Sequence, residues 1–197
     1  MLAMFVAIGA HMLKSKYQSR RIALLGSYLA KYQLEKLMAT LTEGYMRALG
    51  EADGQRREQI FNLLGGSEAS LCDQLNRFAA EFSKVDEADA RVSKLPVAIP
   101  YADKLFPTAT FDLRKALEIH AQGIDRAVRN GADRSPKAKA FSVSAELFLL
   151  QHTCHWFCKS KAVASGRMLA RQKTTYAQLV ESVAPETRSA YRSLTGG

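Results

Sequence analysis

Two histidines, two cysteines and one tryptophan fall within a short stretch of the chain, QHTCHWFCKSK, from Gln151 to Lys161. Imidazole nitrogen and thiolate sulfur are the side-chain atoms that hold zinc and other transition metals, and a thiol beside an imidazole base can serve as a nucleophile. On a helix with His152 set at zero, Cys154 lies at about 200°, Cys158 at about 240°, His155 at about 300° and Trp156 at about 40°. The four polar groups thus spread over an arc of about 160°, too wide for one ion, and only neighbouring pairs can meet: His152 with His155, His155 with Cys158, Cys154 with Cys158.

A zinc site takes four ligands, so His152, His155 and Cys158 would need completion from elsewhere, with His120 the first candidate and Cys72 a further one. Zinc or another transition metal is the one cofactor class the sequence suggests, and neither C-x-x-C nor H-E-x-x-H spacing accompanies it. A thiol nucleophile at Cys158 with His155 as base is the corresponding enzymatic expectation. A Cys154 to Cys158 disulfide is disfavoured, because Cβ vectors one turn apart on a helix are poorly directed for closure.

Packing offers a competing account. Phe141, Val143, Leu147, Phe148, Leu149, Leu150, Trp156 and Phe157 surround the same helix on all sides, as in a helix buried within a core. Histidines there are neutral and must bond to neighbouring helices, so His120, Ser142 and Ser144 become candidate members of a polar network. Glu146, the one acid between Asp133 and Glu181, is expected to pair with Arg114, Lys115 or Arg129.

A second constellation lies at the C-terminal end. TTYAQLVESVAPETRSAYRSL has the outline of helix, tight turn, helix, with Arg188 and Arg192 on the second element and Arg167, Arg171 and Lys173 just before the first. Helix-turn-helix proteins read DNA with their second helix and hold phosphates with basic flanks. Pro185 near the turn departs from that pattern, and a helical hairpin closing a bundle accounts for the same residues. LGGSEAS lacks the lysine of a phosphate loop.

The elements that position these residues read as helices, since no segment alternates with period two. An amphipathic helix is expected from Tyr17 to Leu49, and a short one from Gln55 to Leu64 that stops at Gly65-Gly66. The next starts after Ser67 on the stripe Leu71, Leu75, Phe78, Phe82 and Val85. Residues 86–109, with Pro96, Pro100 and Pro107, read as an extended connection wrapped across the core. Thr110 caps a helix to about Arg129, stopped by Asn130-Gly131, and Ser135-Pro136 opens a long helix to about Ser165. Thr175 and Gln178 fit a capping box for Tyr176 to Val183, and Pro185 to Leu194 completes the hairpin, 174–197. The expected fold is an all-α bundle of six to seven helices, two of them long, in a single domain over 1–197.

Charge is uneven around the net +9: residues 1–50 carry seven basic and two acidic side chains, 51–125 nine and thirteen, and 126–197 twelve and four. Three cysteines without disulfide-scaffold spacing favour a reducing, cytoplasmic setting. The apolar arm at 1–16 begins MLAMFVAIGAHML, which as a helix reaches about 20 Å, short of the ~30 Å bilayer core. It is followed by Lys14, Lys16, Arg20 and Arg21, so it is expected to be uncleaved and to pack on the core, on another subunit or on an anionic membrane surface.

The resulting expectation is a module without a complete catalytic motif that works by protein association, as a homo-oligomer or with a protein partner. Binding of nucleic acid or another polyanion through 126–197 is the first alternative. A metal- or thiol-dependent site at His152, His155 and Cys158 is the second.

Overall fold

A helix with apolar side chains on every face has to be enclosed, and α7 (Pro136–Cys158) is enclosed by nearly every other element. The computed structural model describes residues 1–196, with the side chains of all of these except 2–7, 102 and 103. In chain order the elements are α1 (Leu2–Leu29), α2 (Leu34–Gly50), α3 (Gly54–Phe82), the single turn α4 (Glu87–Ala90), β1 (Arg91–Ser93), the single turn α5 (Ala102–Leu105), β2 (Thr110–Asp112), α6 (Leu113–Arg129), α7, α8 (Lys161–Gln172), α9 (Tyr176–Ser182) and α10 (Pro185–Thr195). The protein is an all-α multi-helix bundle; among the described residues eight helices run to seven residues or more, one beyond the expected range.

The expected helix from Tyr17 to Leu49 is two helices. The backbone N–H of Gln33, which a continuous helix would direct to Leu29, instead donates to the side-chain oxygen of Gln74 on α3 at 2.7 Å. Tyr32 sets its edge on Phe78, 6.1 Å between ring centres, and Lys31 pairs with Glu81 at 2.7 Å. Three contacts to α3 thus outweigh one intrahelical bond, and α2 turns to bury Leu34, Leu41, Tyr45 and Ala48.

The opposite correction applies to α3, which runs through Gly65-Gly66 without a stop. Its buried stripe, Leu64, Glu68, Leu71, Leu75, Phe78 and Phe82, keeps heptad spacing across the glycine pair, so packing carries the helix through. Glu68 on that stripe accepts from the Tyr45 hydroxyl at 2.5 Å and from Lys139 of α7 at 2.5 Å, which ties α2, α3 and α7 together.

Residues 86–109 are not simply extended: they hold two helical turns, a 3-10 turn at Pro107–Ala109 and β1, which pairs antiparallel with β2 so that Val92 faces Phe111. Strands of three residues are too short to show alternation in sequence. Thr110 therefore lies in β2, and Asp112 caps α6, its carboxylate accepting from Arg114 N–H at 2.9 Å. This ribbon covers one end of α7, where Trp156 Nε1 donates to the Ser93 carbonyl at 2.8 Å and stacks edge-on with Phe111.

Helix α7 also stops short of Ser165. Ser160 is extended and caps α8, its hydroxyl accepting from Val163 N–H at 3.3 Å, so the chain folds back on itself after Cys158. Ser135-Pro136 opens α7 and the Thr175/Gln178 capping box opens α9, as the sequence signals require. Asn130 ends α6 in the left-handed conformation at φ 50°.

Gly65 and Gly66 have open space where a Cβ would stand, and neither has positive φ. Replacing each by Ala should raise stability by about 0.5–1 kcal/mol, read as the urea midpoint. Loss of stability in both would show that the helix does not continue through the pair.

Candidate functional site

Along the seam where α6, α7 and α10 meet, a column of fully buried polar side chains replaces the usual apolar packing: His120, Glu146, Thr153, Thr187 and Tyr191 are each 0% exposed. Thr153 is the junction. Its hydroxyl donates back to the Leu149 carbonyl at 2.9 Å, so its lone pairs must accept from the Tyr191 hydroxyl at 2.9 Å and from His120 Nε2 at 2.9 Å. That assignment makes His120 the Nε2–H tautomer and leaves its buried Nδ1 without a partner. Burial pushes the His120 pKa down to about 3, with His152 adding to the effect.

Glu146 sits one layer away, and the expected partners are elsewhere: Arg114 binds Asp112 and Arg129 binds Asp125. One carboxylate oxygen accepts from the Ala184 N–H at 3.2 Å, at the N-terminus of α10, where no side chain caps the helix; the other has no hydrogen-bond partner. Gly123 on α6 leaves room for this contact, since a Cβ there would stand 2.6 Å from both Glu146 Oε2 and Thr187 Oγ1. Burial raises the Glu146 pKa to about 7, against the opposing pull of Thr187, the Ala184 N–H and Arg126.

The residues of the opening stretch face different ways. His152 Nε2 meets Ser165 Oγ at 3.1 Å and the ring stacks on Tyr176, 4.7 Å between centres, with burial taking its pKa down to about 4. His155 and Cys158, with Cys154, instead line a half-open groove of about 730 Å³ between α1, α2, α7 and α8. Leu25, Leu34, Met38 and Phe78 supply apolar walls, and Glu35 and Arg171 supply charge. The adjacent pair His155 and Cys158 is therefore brought together, while His120 and His152 are held at separate hydrogen bonds. Among the described residues no group of three or more His, Cys, Asp or Glu side chains is placed to hold a metal ion.

Electrostatics in the groove oppose thiolate chemistry. Burial pushes the Cys154 thiol up to about 12 and Cys158 upward as well, while burial and the charges of Arg167 and Arg171 hold His155 below its ordinary value. A neutral thiol beside a neutral imidazole lacks the ion pair that activates a cysteine nucleophile.

Of the basic residues singled out in the sequence, Arg167 and Arg171 are exposed on one face of α8 and Lys173 is its left-handed cap. Arg188 and Arg192 are both bound to Glu181 of α9, Arg188 at 2.5 Å. The second helix of the hairpin thus presents guanidinium groups already paired with an acid, and its Thr187 and Tyr191 are turned into the core.

Comparison of the chain with known proteins finds no family model, no curated protein and no solved structure that matches it. The groove and the way these side chains meet along one seam were not legible in sequence, because both depend on which helices meet; the isolated acid Glu146 in an apolar helix and His120, expected in a buried polar network, were the visible signals.

The pH dependence of the seam has a definite sign. Glu146 binds its proton more tightly in the fold, about 7 against 4.5, so its contribution is full below pH 4.5 and is lost as pH rises through 7. The difference corresponds to about 3 kcal/mol. Glu146→Gln should therefore gain about 2–3 kcal/mol over the wild type between pH 5 and pH 8, measured by urea unfolding at each pH; parallel curves would refute the assignment. His120 and His152 act oppositely: their contribution is present above pH 6.5 and lost on acidification toward about 3 for His120 and about 4 for His152. Tyr191→Phe, which leaves the buried Thr153 lone pair unmet, should cost about 1–3 kcal/mol at neutral pH, read as a fall in the urea midpoint.

Proposed function

We propose that the protein is an association module whose docking element is the first half of α1. The observation that carries this reading is the contrast between the two halves of one helix. From Arg21 onward α1 is seated: Leu25 is buried, and Tyr28 packs its edge on Phe82 of α3 at 5.2 Å. Before Tyr17 it is not, for every residue from Ile8 to Lys16 is exposed, including Ile8 at 49%, Met12 at 65% and Leu13 at 46%. Apolar surface of this extent on a projecting helix is covered in most proteins by a partner surface outside the fold.

No helix of the described residues is long and apolar enough to cross a membrane. A second reading, polyanion binding through 126–197, draws support from exposed Arg167 and Arg171, one helical turn apart on α8.

The combined variant Ile8→Ser, Met12→Ser, Leu13→Ser should abolish concentration-dependent association in light scattering and reduce the fluorescence of a hydrophobic dye. It should shift the unfolding midpoint by no more than about 1–2 kcal/mol, since all three positions are exposed. A wild-type chain that behaves identically to this variant in both assays would exclude the docking role. For the second reading, Arg167→Ala with Arg171→Ala should lower the salt dependence of heparin binding by a slope of about 2.

A further inference from the structure

The root of the projecting half of α1 is flanked by a second exposed apolar element. Tyr17, where the exposed half ends, contacts the ring of Tyr101, 5.7 Å between centres. Tyr101 belongs to the connection between β1 and β2, which presents Val97, Leu105 at 62% exposure and Phe106 at 48%, with Lys104 placed over the Tyr101 ring at 5.8 Å. Two elements distant in sequence therefore put aromatic and aliphatic side chains and lysines at the same end of the molecule.

Charge distinguishes the surfaces that could cover this end. Residues 1–13 contain no Asp, Glu, Lys or Arg, whereas Lys14 and Lys16 follow at once, and Arg20 beyond them is paired with Asp89 at 2.8 Å. The arms of two copies packed parallel would bring those cations together and repel, and packed antiparallel would set them beside a segment that has no acid to pair with them. A polyanion would satisfy the cations and leave Ile8, Met12, Leu13, Leu105 and Phe106 in water. An anionic lipid surface meets both requirements. A helix lying in the plane of the interface buries its apolar side chains about 5–10 Å into the headgroup and acyl boundary. With those side chains inserted, Lys14, Lys16, Tyr17 and Tyr101 stand at headgroup depth, where aromatic rings and lysines are favoured.

We propose that this end of the molecule, the first half of α1 together with the 96–106 connection, docks on an anionic bilayer surface, with Ile8, Met12 and Leu13 entering the headgroup and acyl boundary and Lys14, Lys16 and Lys104 facing lipid headgroups. This names the partner of the docking element and rests on the association role proposed for it.

The test uses the full chain and flotation with two vesicle types, phosphatidylcholine alone and phosphatidylcholine mixed with phosphatidylserine. Binding is expected to the mixed vesicles, with the pure phosphatidylcholine arm weaker by at least tenfold. Lys14→Ala with Lys16→Ala should lower binding to mixed vesicles about 25-fold, at roughly fivefold per basic residue. Leu105→Ser with Phe106→Ser should lower binding to both. Equal binding to the two vesicle types, or an unaffected Leu105/Phe106 variant, overturns the composite anionic-lipid surface. So does absence from both vesicle types while the Ile8, Met12, Leu13 variant still abolishes self-association, an outcome that leaves the association role standing with a second copy as the partner. If that variant changes neither self-association nor vesicle binding, the association role fails with the inference.

Discussion

Helix α7 carries apolar side chains on every face, and a helix of that kind exists only where other elements cover most of its surface. α6, α8 and the β1–β2 ribbon lie against it, α1 and α2 close a further side, and α9 and α10 close the last, so most of the chain's burial is organised around one axis. The apolar clusters on its two sides, one centred on Leu71, Phe78 and Leu117, the other on Leu149, Leu179 and Tyr191, do not share a buried residue. α7 is the partition between them.

Full enclosure raises the cost of every polar atom on that axis, and the bundle meets the cost differently at each level. Thr153 serves three bonds with one hydroxyl. His152 uses Ser165, which is within reach because the chain doubles back after Cys158. Glu146 has a helix N-terminus in front of one oxygen and the bare backbone of Gly123 beside the other. The residues with the most chemical potential are therefore committed to holding helices in register, and the side chains left facing solvent-accessible space, His155 and Cys158, are electrically quiet.

Much of the fold was legible in local signals. The Ser135-Pro136 start, the Thr175/Gln178 capping box, the Asn130 stop and the apolar stripes of α3 and α6 each have a short-range physical cause, and each is where the sequence places it. Breaks decided by distant residues were not legible. Gln74 captures the Gln33 N–H from 41 positions away, and the Leu64-to-Phe82 stripe overrides a glycine pair that would end an isolated helix. The three-residue strands lack the length to show a period. At the site, helical geometry allowed His152 to meet His155 and His155 to meet Cys158, but the His152 ring turns to Ser165 and Tyr176, because the partner of each ring depends on helix neighbours that no spacing reveals. The patch formed by Leu105 and Phe106 beside Tyr17 was hidden for the same reason.

Arg21 gives the projecting helix one more property. It is buried at the root of the arm, with its guanidinium over the Phe157 ring at 4.3 Å and over Tyr17 at 4.9 Å, while Nη1 donates to the Phe157 carbonyl at 3.2 Å. From Ala10 to Leu25 the helix contains neither glycine nor proline, a rod of about 22 Å without a joint. An arm bolted in this way cannot swivel like a tether. A surface that received it would set the heading of the whole bundle, and the groove at Cys158 would then face a fixed direction relative to that surface.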